Sequence, residues 1–249
     1  MYRWQWVTQT SPFSAAGRPG TPARIVVEQI GDACFRPHPD FGFQYDPPDG
    51  SPPVVVTSES LPSTDFASIP GFLSWFVSRA GRHSPAALVH DQLVAPGVTT
   101  EDRAAADDLF LEMMDHLDVP PVRRSVMWAA VSLATRWSSR GLPRAAIGVW
   151  GMLASGGLAL LVAGIVTGRP LWVVAALAAP VPASLLWGRK RRAGLVAGYA
   201  LLPVAFPAAS SALGYVTYWV IEEAVRGLRA VPEHQDIEEL PTPVAYKEM

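Results

Sequence analysis

Between residues 145 and 221 the chain contains no aspartate or glutamate, and its only basic residues there are Arg169 and the run Arg189-Lys190-Arg191-Arg192. All 22 acidic residues lie elsewhere, 15 before this stretch and 7 after it. A water-facing surface needs charge throughout, so a wholly soluble globular fold is excluded for this part of the chain. Overall, 17% of the 249 residues are charged, against roughly 25% for an ordinary soluble domain. Three apolar segments stand out, over 145–167, 171–188 and 193–219. At about 1.5 Å per residue the first is long enough to cross about 30 Å of hydrocarbon. Pro180 and Pro182 mark the second as a broken or re-entrant element, and Pro203 and Pro207 predict a kink in the third. The expected anchor is therefore an α-helical transmembrane region of about three segments, with the lipid bilayer as its partner. Tyr215, Tyr218 and Trp219 suit the aromatic belt near a segment end.

The part before the anchor reads as an α+β domain over residues 1–140, strands first and helices after. The β-branched runs over 24–30 and 53–57 are short strands, and 36–50 between them is dense in turn formers and aromatics. After Ser63 the period changes to that of helices. A short helix is expected over 70–77. Ser84 followed by Pro85 marks a helix entry. Thr99 or Thr100 caps the next helix, whose first turn is acidic and whose Ala106, Leu109, Phe110, Met113, Met114 and Leu117 recur at three and four residues. Asp118-Val-Pro-Pro breaks it, and a further helix runs over 122–137.

Charge bears on partners and on orientation. The first 144 residues carry 12 basic and 15 acidic side chains, which disfavours a phosphate-tracking, nucleic-acid-binding surface. Cys34 is the single cysteine, so neither an internal disulfide nor a cysteine zinc cluster is available. The N-terminus lacks the apolar run of about 7–15 residues that a cleavable signal peptide has. Arg136, Arg140 and Arg144 precede the first segment, and the Arg189 run follows the second. With three spans these cations share one side. The positive-inside rule then places the N-terminal domain in the cytoplasm and the C-terminal tail opposite; two spans would bring the tail back. The tail, 222–249, is acidic and proline-rich and is expected to be disordered.

Chemistry concentrates in three small patterns, Thr64-Asp65-Phe66-Ala67-Ser68-Ile69-Pro70, His90-Asp91-Gln92-Leu93 and Ala106-Asp107-Asp108-Leu109-Phe110. Asp65, His90, Asp91 and Asp107 are polar residues among apolar neighbours, where an isolated charge is expensive unless paired or liganded. If the three elements meet, the four side chains form a candidate catalytic cluster. His90, Asp91 and Asp107 can hold a divalent cation of the zinc, manganese or magnesium type. Alternatively His90 and an aspartate form an acid–base pair, or the groups cap helices and hydrogen-bond one another. Ser68 lacks the context of a nucleophile elbow, and Glu112 with His116 reads as a solvated helix face.

The order and spacing of the three patterns resemble a family of phage and prophage proteins known as domain of unknown function 1353, over residues of about 54–137. The strand Val54-Val55-Val56-Thr57 suits the usual entry to that pattern. Family members tend to have an aromatic residue after His-Asp-x-Leu, where this chain has Val94. The resemblance implies a phage- or prophage-type protein and leaves the reaction open. One expectation is a membrane-anchored, metal-dependent hydrolase using Asp65, His90, Asp91 and Asp107. A second is a non-enzymatic virion-associated or assembly module that binds phage structural or host envelope proteins. A third is a lysis or superinfection protein, which a folded head of about 140 residues disfavours.

Overall fold

The computed structural model describes residues 12–22, 25–30, 34–38, 42–64 and 81–229. The chain divides into two compact units, Met1–Ala208 and Ala209–Met249. The first unit opens with six short strands: β1 (Phe13–Ala15), β2 (Arg18–Pro22), β3 (Val27–Gln29), β4 (Phe35–Pro37), β5 (Gly42–Tyr45) and β6 (Val54–Thr57). Four of them form an antiparallel sheet in the order β2-β1-β5-β6, and β3 pairs with β4 in a separate ribbon. β5 lies inside the stretch that the sequence shows as turns. Its Phe43 and Tyr45 are fully buried and meet the Phe13 ring of β1 at a tilt, so the aromatics there are core residues between turn formers.

Helices follow the strands, as the change of period predicts. α1 (Ser84–Leu93) packs on β6, with Gln92 Nε2 donating to the Val55 carbonyl at 2.9 Å. Its cap position is His83 rather than Ser84; the Ser84 hydroxyl instead accepts from the Gly81 N–H. α2 (Thr100–His116) begins at the expected cap, the Thr99 hydroxyl accepting from the Asp102 N–H at 3.1 Å. α3 (Pro121–Ser138) starts with a proline in its first turn, where the missing N–H costs nothing. The short helix expected over 70–77 lies outside the described residues.

α4 (Leu142–Val166) is followed by α5 (Pro170–Ala178), α6 (Pro180–Ser184), a 3₁₀ turn (Leu185–Lys190) and α7 (Arg191–Arg229). Among the described residues two helical stretches are long and apolar enough to cross a membrane, Leu142–Val166 with mean hydropathy 2.0 and Pro170–Gly227 with 1.7. Two stretches meet this test, where about three segments were expected. The segment expected over 171–188 is no helix of its own, because it breaks beside Pro180 and ends at Gly188, whose φ of 56° reverses the chain. α5 packs back on α4 so closely that a Cβ at Gly164 would lie 3.0 Å from Val173. α7 also runs past residue 221 into the stretch expected to be a tail. There Arg226 pairs with Glu222 and Glu223 at helical spacing.

The outer surface of these helices is apolar. Met152, Val162, Ile165, Leu171, Val174 and Leu185 are all more than half exposed. Only 11% of the most apolar window of α4 is buried, whereas a core helix of a soluble protein is mostly buried. Nor are the helices hung on a loose linker. Met127, Trp128 and Ala129 of α3 share one hydrophobic cluster with Ile147 and Trp150 of α4, Ala183, Trp187 and Ala193.

Candidate functional site

α1 and α2 pack against each other, and each brings one ionisable side chain into the buried contact. On α2 the buried positions are Ala106, Asp107, Phe110, Met113 and Met114. Helical periodicity therefore forces the Asp107 side chain inward and leaves Asp108 on the flank. On α1 every residue from Ser84 to His90 is buried. His90 Nε2 and Asp107 Oδ1 meet at 2.9 Å, with residue exposures of 8% and 0%. The Phe110 ring, one turn beyond Asp107, covers the imidazole with centroids 5.0 Å apart. The second carboxylate oxygen, Asp107 Oδ2, is buried and has no hydrogen-bond partner among the described residues.

Asp91 follows His90 on α1 but leaves the apolar interface. It accepts a 2.5 Å hydrogen bond from the Thr64 hydroxyl. Thr64 is itself tied to Phe35 of β4 by two backbone hydrogen bonds of 2.8 Å. The first sequence pattern thus begins beside the second, and the second is paired with the third. Asp65 and Ser68 lie outside the described residues. No group of three or more His, Cys, Asp or Glu side chains stands ready to hold a metal among the described residues. Glu112 and His116 approach to 3.8 Å on an exposed helix face.

Two polar links are absent from the sequence reading. Asp108 accepts from the Trp128 indole N–H at 3.1 Å and pairs with Lys190 Nζ, which also donates to the Ala104 carbonyl at 2.7 Å. Arg136 donates to the Leu186 carbonyl at 3.3 Å and lies over the Trp187 ring. Its burial beside that indole pulls the guanidinium below the usual arginine range. The paired acids in Ala106-Asp107-Asp108 were the available signal: on a helix with one buried stripe, adjacent acids must serve two different partners.

Residues 42–131 match the family described as protein of unknown function (DUF1353). The match begins at β5, twelve residues before the strand that opens the resemblance in the sequence, and covers α1, α2 and most of α3. No curated protein and no solved structure matches the chain.

Proposed function

We propose, from the premise that residues 42–131 are a domain of the DUF1353 family, that the chain is a membrane-anchored hydrolase whose acid–base group is His90 held by Asp107. One observation carries this reading: the buried carboxylate of Asp107 spends one oxygen on His90 and leaves the other without a donor. A purely structural carboxylate at this depth is ordinarily satisfied on both oxygens, because an unmet acceptor costs about 1–3 kcal/mol. Strain, an ordered water or a catalytic role each accounts for such an acceptor, and the imidazole on the other oxygen favours the last. In this reading Asp107 fixes the ring orientation of His90. The other ring nitrogen, Nδ1, takes a proton from water as its oxygen attacks an acyl or phosphoryl centre, then returns the proton to the leaving group. In this reading the apolar stretches Leu142–Val166 and Pro170–Gly227 anchor the chain in the bilayer, the second bending at Gly188. Arg136, Arg140, Arg144 and the Arg189 run then lie on the cytoplasmic side with the head.

The test uses the full chain in detergent micelles, with ester, phosphodiester and peptide probes, beside His90→Gln and Asp107→Asn. Hydrolysis of one probe class that falls about 10²–10⁴-fold in both variants supports the reading. Equal rates in all three chains overturn it. Metal analysis of the same samples decides whether His90, Asp91 and Asp107 work with a divalent ion. The shielding of the pair, 8% and 0% exposed, favours a second reading, a tethered non-enzymatic module that docks phage or envelope proteins. That reading gains if no probe is turned over.

A further inference from the structure

α3 and α4 diverge from the Gly141 turn and leave an open groove of about 810 Å³ between them, within the range of about 300–1,000 Å³ usual for small-ligand sites. Ala130, Leu133 and Trp137 of α3 form one wall, and Ile147, Trp150 and Met152 of α4 form the other. The floor is opened by Gly148 and Gly151, where a Cβ would meet nothing within 4 Å. Ser155 adds a hydroxyl side chain to this otherwise apolar lining.

The rim has the opposite character. The Arg144 guanidinium sits over the Trp137 ring, 5.1 Å from its centroid, and Arg140, in the turn between the two helices, is exposed. No aspartate or glutamate occurs between residues 118 and 222, so these cations have no carboxylate on either helix of the groove. Uncompensated arginines over an apolar slot, at the start of a span, complement a molecule with one anionic end and one hydrocarbon end.

We propose that this groove binds an anionic phospholipid, its phosphate on Arg140 and Arg144 and one acyl chain along Leu133, Trp137 and Trp150. This inference rests on the membrane reading above, and the two fail differently. The full chain is purified in dodecyl maltoside, mixed with dioleoyl phosphatidylglycerol or dioleoyl phosphatidylcholine, and weighed by native mass spectrometry. The expected result is one retained phosphatidylglycerol per chain, with phosphatidylcholine retained at least about tenfold less, from about 1 kcal/mol per arginine near the headgroup. Arg140→Gln with Arg144→Gln brings the two lipids level. Gly151→Leu fills the floor and lowers retention of both. Equal retention of the two lipids by the unmodified chain, or an undiminished preference in the arginine double variant, overturns the proposal. A chain that does not co-float with phosphatidylcholine vesicles overturns the membrane reading instead.

Discussion

The Trp187 indole occupies the space that a Cβ on Gly194 would need, three of its ring atoms standing within 3 Å of that position. Trp187 is fully buried, meets Trp150 edge-on at 5.2 Å and carries Arg136 on its face. The glycine therefore lets α7 close on the turn that precedes it. Gly194→Ala gains up to about 1 kcal/mol of helix propensity but forces a rigid ring to move, at a cost of about 1–3 kcal/mol. Destabilisation wins. Gly214→Ala, where a Cβ meets nothing, should instead raise stability slightly. Thermal unfolding of both variants in micelles checks the opposite signs, and equal shifts would contradict the packing.

Asp107→Ala removes a buried acceptor and strands the His90 ring, so a loss of about 1–3 kcal/mol is expected. His90→Leu with Asp107→Leu replaces both partners by apolar groups and should cost less than the sum of the single changes. A double-mutant cycle by chemical denaturation measures this coupling. Strict additivity would mean that the pair is adjacent without interacting.

Lys190 ties the turn before α7 to α2 across 82 residues of sequence. Its partner Asp108 is more than half exposed, so the ion pair itself contributes under about 1 kcal/mol. The bond to the Ala104 carbonyl adds about 0.5–1.5 kcal/mol. Lys190→Met should therefore destabilise more than Asp108→Asn, and salt should weaken only the part shared by both. A Lys190→Met protein as stable as the parent would show that the Lys190 links add nothing to the other contacts between the head and the helices.

What was legible in the sequence follows from range. α2 and α3 came out within a residue or two because caps and 3.6-residue stripes are local, as at Thr99 and Pro121. An aspartate inside the stripe of α2 announced a buried partner, and His90 provides it. β5 was hidden because Phe43 and Tyr45 alternate over only four residues among turn formers. The Thr64–Asp91 and Lys190–Asp108 links depend on how distant elements dock, which no local pattern encodes. In the middle apolar segment Pro180 signalled the break, but the non-helical φ/ψ of Gly188 that joins it to α7 is a single backbone dihedral pair that hydropathy does not encode.

Tyr45 gives the structure a pH dependence that can be isolated. The side chain is fully buried, and its phenol is pushed up to about 12 by that burial first, then by Glu112 and Asp49. An unfolded tyrosine loses its proton near pH 10. The folded group thus holds its proton longer than the unfolded one. Its contribution is fully present below about pH 10 and is lost as pH rises toward 12, because the unfolded state then binds fewer protons. The slope is at most about 1.4 kcal/mol per pH unit. Tyr45→Phe deletes this term, and since the hydroxyl has no hydrogen-bond partner among the described residues, it should cost little at neutral pH. Other groups also titrate in alkali, so the informative quantity is the stability of the parent minus that of Tyr45→Phe. That difference should be flat from pH 7 to 9 and fall in favour of the variant above pH 10. A difference that stays constant to pH 11.5 would mean that the Tyr45 hydroxyl is not shielded from water.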